Sequence, residues 1–159
     1  MPPLFSRDGQ FPSTCAGAHT PGIFRLAAEQ AETMRVLIVE DDADFGEALV
    51  QLLEDFGYEV KWVMCPTLAS NAAVEFQPDV AILDIGLPRI SGYELLPMLR
   101  RLPQLAGCRF LAITAFVGAE VEQRSSAAGF DHHLTKPLRI PQLLDCLKTD
   151  QARPQSLSP

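Results

Sequence analysis

Apolar runs of strand length alternate with amphipathic stretches through the middle of the chain. The runs are RVLIV at 35–39, YEVKWV at 58–63, VAILD at 80–84, RFLAIT at 109–114 and HHL at 132–134. Between the first two, FGEALVQLLEDF repeats its apolar positions at helical spacing until Gly57 stops it. Asp44, with Glu47 three residues on, has the pattern of a capping box opening that helix. Further helices are predicted over 67–76, 92–101, 119–128 and 140–148. Strands that alternate with helices in this way imply a parallel sheet covered on both faces, a doubly wound α/β fold.

In an open parallel sheet the chemistry gathers at the carboxyl ends of the strands. Glu40, Asp41 and Asp42 follow the first strand, Asp84 ends the third, Thr114 ends the fourth and Lys136 follows the fifth. Carboxylates brought together at one edge repel each other unless a divalent cation holds them. Magnesium is the expected cation, because oxygen ligands are what this edge offers.

Composition narrows the functional classes. The chain has 159 residues, 47% of them hydrophobic and 21% charged, which suits one globular domain with some appended chain. A net charge of -7 without a Lys/Arg cluster argues against direct nucleic-acid binding. Runs such as VAIL and FLAI are far short of the ~20 apolar residues that span a bilayer, so no membrane partner is expected. The first residues lack the charged and apolar regions of a secretory signal, which makes a cytoplasmic location the default expectation. Cys15, Cys65, Cys108 and Cys146 contain no C-x-x-C pair and are read as free thiols. Residues 1–33 carry four of the thirteen prolines and are expected to be a disordered leader. The folded domain is placed at 34–148, with 149–159 as a polar, flexible tail.

Four segments in order, VLIVEDD, DIGLPRISGYEL, LAITA and GFDHHLTKP, resemble the receiver domain of two-component response regulators. The spacings agree with that family: 84 - 41 = 43, 114 - 84 = 30 and 136 - 84 = 52 residues. The resemblance implies a flavodoxin-like (βα)5 sheet of strand order 2-1-3-4-5. It makes Asp84 the residue that accepts a phosphoryl group, by nucleophilic attack on phosphorus. Asp41 and Asp84 would bind Mg2+ directly, Glu40 through water, and the Gly86 carbonyl would complete the protein's share. Asp42 stands evenly between a metal role and a solvated charge near the positive end of the first helix. Lys136 would pair with Asp84 before phosphorylation and with the phosphate afterwards, from a Lys-Pro peptide expected to be cis.

Thr114 corresponds to the switch hydroxyl, and its aromatic partner on strand five is here His133, a departure from the family's Tyr or Phe. His132 beside it faces the other side of the strand, so the pair is not read as a metal site. Gly86 and Phe116 stand where receivers tune phosphate lifetime; neither can aim a water, and slow self-hydrolysis is expected. Only a polar tail follows the last helix, so no output domain is expected. The motifs look most like receivers associated with hybrid sensor kinases.

The reading is a signalling phosphoacceptor that catalyses its own phosphorylation and dephosphorylation rather than an enzyme acting on another substrate. Its partners are a histidine kinase or histidine phosphotransfer protein and a downstream protein, with homodimerisation left open. The alternative from another class is a degenerate receiver that binds proteins without phosphorylation. A haloacid-dehalogenase-like phosphatase wants an acid where Gly86 stands. A flavin binder needs a Ser/Thr/Gly-rich phosphate loop where this chain has three acids.

Overall fold

A computed structural model describes residues 33–148. The expectations for the leader, up to residue 32, and for the 149–159 tail lie outside the described residues. The elements in order are β1 (Arg35–Val39), α1 (Ala43–Asp55), β2 (Glu59–Val63), α2 (Ala69–Phe76), β3 (Val80–Asp84), α3 (Gly92–Arg100), β4 (Arg109–Thr114), α4 (Ala119–Ala128), β5 (His132–Thr135) and α5 (Ile140–Lys148). Short 3-10 turns at Pro66–Leu68 and Pro103–Leu105 precede α2 and β4. All strand pairs are parallel and the sheet order is β2-β1-β3-β4-β5. The predicted fold class and strand order are therefore those observed.

Alternation along the central strands explains why the sheet is covered on both sides. Leu37, Val39, Ala81, Leu83, Phe110 and Ala112 enter one core with α2 and α3. Their neighbours Val36, Ile38, Val80, Ile82, Leu111 and Ile113 enter the other, with Leu49 and Leu53 of α1 and Leu143, Leu144 and Leu147 of α5. Each Val, Leu, Ile or Phe among them contributes roughly 1.5–3 kcal/mol when fully buried. A one-residue slip of any central strand would exchange its two faces, so these two cores fix the register and with it the strand ends.

Helix starts show where local reading failed. The expected Asp44–Glu47 box does not form, because α1 begins at Ala43 and Asp44 already lies in its first turn. Asp42, in extended backbone, is the cap, and its Oδ1 accepts from the Phe45 amide at 3.0 Å. Exposed at the N-terminus of α1, Asp42 thus sits where its reading as a solvated charge at the helix's positive end put it, and it caps the helix as well. A capping box does occur at α3: the Glu94 amide donates to Ser91 Oγ at 3.3 Å, while the Ser91 amide donates to Glu94 Oε2 at 2.9 Å. Other boundaries shift by a residue or two. Tyr58 falls outside β2 because its amide closes the end of α1 on the Leu53 carbonyl at 3.1 Å. β5 gains Thr135, which pairs with Thr114.

The far end of the sheet is tied to α5 by Arg109. Its guanidinium is buried and donates to the Cys146 and Leu147 carbonyls, each at 2.7 Å. These carbonyls belong to the last turn of α5, where unpaired acceptors and the helix dipole favour a cation.

A candidate phosphoacceptor site at the strand ends

Registers Val39↔Leu83, Asp84↔Ile113 and Thr114↔Thr135 place the ends of β1, β3, β4 and β5 side by side. The Ile85 amide donates to the Ile113 carbonyl and the Lys136 amide to the Thr114 carbonyl, both at 2.8 Å, so the ladder continues into the loops that carry the polar groups. Gly92, at the start of α3, permits a close approach: a Cβ there would meet the Asp84 carbonyl oxygen at 2.5 Å and the Ile85 Cα at 3.0 Å. Only a bare Cα lets α3 sit this near the strand that presents Asp84.

Two of the acids are withdrawn from water. Glu40 is 2% exposed and Asp84 8%, whereas Asp41 stands open. Each of the three can bring a carboxylate oxygen within 4.8 Å of the others. Lys136 Nζ bridges two of them, donating to Glu40 Oε2 at 2.7 Å and to Asp84 Oδ2 at 3.0 Å, and it lies 4.3 Å from the centre of the Phe45 ring. The other Asp84 oxygen accepts from the Gly86 amide at 2.8 Å. The Gly86 N–H thus holds the Asp84 side chain and leaves the Gly86 carbonyl unengaged by this bond.

Burial, and after it the charge of Asp84, push the Glu40 carboxyl above its ordinary range, against hydrogen bonds from Lys136 and the Asp42 amide that lower it. For Lys136, burial disfavours the ammonium, but the hydrogen bonds and charges of Glu40 and Asp84 outweigh it and raise its pKa. Three carboxylates against one ammonium leave -3 + 1 = -2 at the edge. A hard divalent cation with oxygen ligands fits that donor set and that charge.

Thr114 is fully buried at the end of β4, and its Oγ1 accepts from the Phe116 amide at 3.1 Å. Phe116 itself is 63% exposed and lines an open groove with Ile85, Tyr93, Val121 and Arg124. His133 stands apart from the acids. Its Nδ1 lies 2.9 Å from Ser125 Oγ of α4, and that hydroxyl is 3.2 Å from the Tyr93 hydroxyl of α3. Arg124 stacks over the Tyr93 ring at 4.4 Å. The Lys136–Pro137 peptide is cis, as the resemblance implied.

Three neighbours of the site escaped the sequence reading. Ser125 is fully buried yet looked like any helical serine in AEVEQRSSAA. Phe45 was taken only as part of an apolar face. Trp62 was only a strand residue, although its indole Nε1 donates to the Glu40 carbonyl at 2.9 Å. All three act across elements far apart in the chain, and no local spacing signals such contacts.

This sheet is shared with a known class. Residues 36–148 match the response regulator receiver domain, and the chain belongs to that family. Among relatives, it is 31% identical over 117 residues to the polar-differentiation response regulator DivK of Brucella ovis, covering 74% of this chain and 95% of that protein. The chemotaxis protein CheY4 of Vibrio cholerae superposes with a TM-score of 0.69 at 28% identity, over 74% of this chain and 98% of that one. A CheY-like receiver domain from Methylobacillus flagellatus gives a TM-score of 0.65 at 32% identity, over 74% and 98%. No helix among the described residues is long and apolar enough to cross a membrane.

Proposed function

We propose that this receiver takes a phosphoryl group onto Asp84 from a phosphohistidine of a histidine kinase or phosphotransfer protein, with Mg2+ at Asp41, Asp84, Glu40 and the Gly86 carbonyl. The observation that carries the reading is the Lys136 ammonium bridging buried Glu40 and Asp84 beside exposed Asp41. When bound, Mg2+ supplies neutralisation of charge on the transferred group. An Asp84 oxygen attacks phosphorus, the P–N bond to the donor imidazole breaks as the new P–O bond forms, and the imidazole leaves with its proton. Lys136 holds the Asp84 carboxylate aimed before transfer and pairs with phosphate oxygen after it.

The Thr114 hydroxyl, whose oxygen accepts from the Phe116 amide, then donates its O–H to a phosphate oxygen, and the loop after β4 moves with it. His133, through Ser125, carries that change to α4. The state of this α4–β5 region is what a downstream protein reads, in a cytoplasmic signalling chain.

Intact-mass measurement with a small acyl-phosphate donor tests the reading. Wild-type protein with Mg2+ gains one labile phosphoryl group, Asp84→Asn gains none, Asp41→Ala gains very little, and excess chelator abolishes labelling. Labelling of Asp84→Asn at the wild-type rate, or labelling that survives chelation, overturns it. Purified kinases in place of the small donor then identify the partner by fast, selective transfer.

A further inference from the structure

Four groups of Glu40 are engaged at once. Its amide donates to the Val63 carbonyl at 3.1 Å and its carbonyl accepts from Trp62 Nε1 at 2.9 Å. Its Oε1 accepts from the Asp42 amide at 3.1 Å and its Oε2 from Lys136 at 2.7 Å. Two of these bonds come from the end of β2, and they grip the residue immediately before Asp41. Asp41 has no burial to hold it, so the path of its backbone is set by what holds Glu40 and Asp42.

The indole reaches Glu40 only by lying against α1 at Gly46. The Trp62 ring occupies the volume that a Cβ on Gly46 would take, with Nε1 itself 2.7 Å from that position. A glycine inside an exposed-faced helix costs about as much as its loss of propensity relative to alanine. Here it sits in the second turn of α1 in a sequence otherwise rich in helix formers, and the sole tryptophan of the chain fills the space it leaves.

We infer that Trp62 is a positioning residue for the cation pocket: its indole N–H, admitted by Gly46, fixes the Glu40 carbonyl and thereby sets Asp41 against Asp84. This inference rests on the Mg2+ reading above. The physical chain is short. Without the indole bond, the Glu40 carbonyl turns toward solvent, the 40–42 loop gains freedom, and the cation must order that loop as it binds. Because Trp62 acts through the loop and touches neither donor nor acceptor, its effect falls on cation affinity and disappears once the site is saturated.

Two substitutions break the arrangement in different ways. Trp62→Phe keeps a ring on α1 but removes the N–H. Gly46→Ala keeps the indole, improves helix propensity, and displaces the ring from Glu40. Calorimetric titration of Mg2+ into wild type, Trp62→Phe, Gly46→Ala and Asp41→Ala separates the cases, with thermal melts confirming that each variant is folded. Both clamp variants should bind about fivefold more weakly than wild type, the scale of one lost hydrogen bond. Their labelling by an acyl phosphate should fall at low Mg2+ and return to within about twofold of wild type at saturation, the window left by a bond that acts on binding alone. In the wild type, Mg2+ should also shift the emission of this single tryptophan.

If wild type binds Mg2+, Asp41→Ala does not, and both clamp variants bind as wild type does, the clamp is overturned while the site stands. A folded wild type that takes no Mg2+ overturns the site and the clamp together. Gly46→Ala binding as tightly as wild type while Trp62→Phe binds weakly would also overturn the inference, since it would remove the glycine from the arrangement.

Discussion

Replacing Lys136 with methionine separates what the lysine does for the fold from what it does for phosphate. The substitution keeps an unbranched side chain of similar length and removes the ammonium, with its place over the Phe45 ring, leaving Glu40 and Asp84 buried side by side with no cation. Removing one partner of a buried pair costs about 3–5 kcal/mol. The Lys136 side chain is 20% exposed, so water replaces part of its effect and about 2–3 kcal/mol is expected here. For a domain of this size that lowers Tm by roughly 6–15 °C.

The loss depends on pH in a defined direction. Burial, then Asp84, already hold the Glu40 carboxyl above its unfolded value, and the lysine that opposed them is gone. A group whose folded pKa is raised favours the folded state below its unfolded pKa, and that support is lost as pH rises through the folded pKa. The deficit of Lys136→Met is therefore full at neutral pH and shrinks toward the acid side as Glu40 protonates. Mg2+ should restore more stability to the variant than it adds to wild type, because it replaces the missing positive charge. Calorimetric melts at pH 7.5 and 5.5, each with chelator or with Mg2+, measure all three effects. A variant melting within about 2 °C of wild type in chelator, or an equal deficit at both pH values, refutes the electrostatic account.

Three further outcomes follow from contacts described above. Ser125→Ala leaves the Tyr93 hydroxyl and His133 Nδ1 without their shared partner and should cost about 1 kcal/mol, with faster proteolytic cleavage within α4 as the site-resolved check. Gly92→Ala drives a methyl into the backbone of Asp84 and Ile85 and should cost about 1–3 kcal/mol by chemical denaturation; an unchanged midpoint would mean that α3 shifts freely. Burial pushes the Cys108 thiol up to about 12, whereas hydrogen bonds from Thr67 lower that of Cys65. Iodoacetamide at pH 8 should therefore alkylate Cys65 well before Cys108, as read by peptide mass spectrometry, and Cys108 only on unfolding.

The strand ends were readable in advance because RVLIV, VAILD and RFLAIT are short apolar runs, rich in β-branched residues and set between helical stretches, the pattern of strands buried on both faces. Glu40, Asp84, Thr114 and Lys136 then meet because parallel strands put their carboxyl ends on one edge. Helix starts were less legible. Asp42 and Asp44 both offer a carboxylate near the first turn of α1, and the choice between them depends on where Asp41 and Asp42 leave the sheet, a tertiary matter. The partners of His133 were not legible either: the strand position was plain, but Ser125 reaches it only after α4 has packed on β5. Trp62 is the clearest case of hidden information, since its meaning depends on an absent side chain at Gly46, on a different element.

Helix α4 rests on very little. Ser125 is its one buried residue, and the remaining surface of AEVEQRSSAA carries charges and small side chains facing water or neighbouring rings. Most helices of this domain are constrained by their share of an apolar core, so their sequences cannot drift far without loss of folding. α4 is largely released from that constraint, held mainly by the Ser125 hydroxyl, half-buried Val121 and the stack of Arg124 on Tyr93. Its fully outward positions can therefore change one by one at almost no thermodynamic penalty, and under the function proposed above this would let the choice of partner evolve on α4 while the site chemistry and the fold stay as they are.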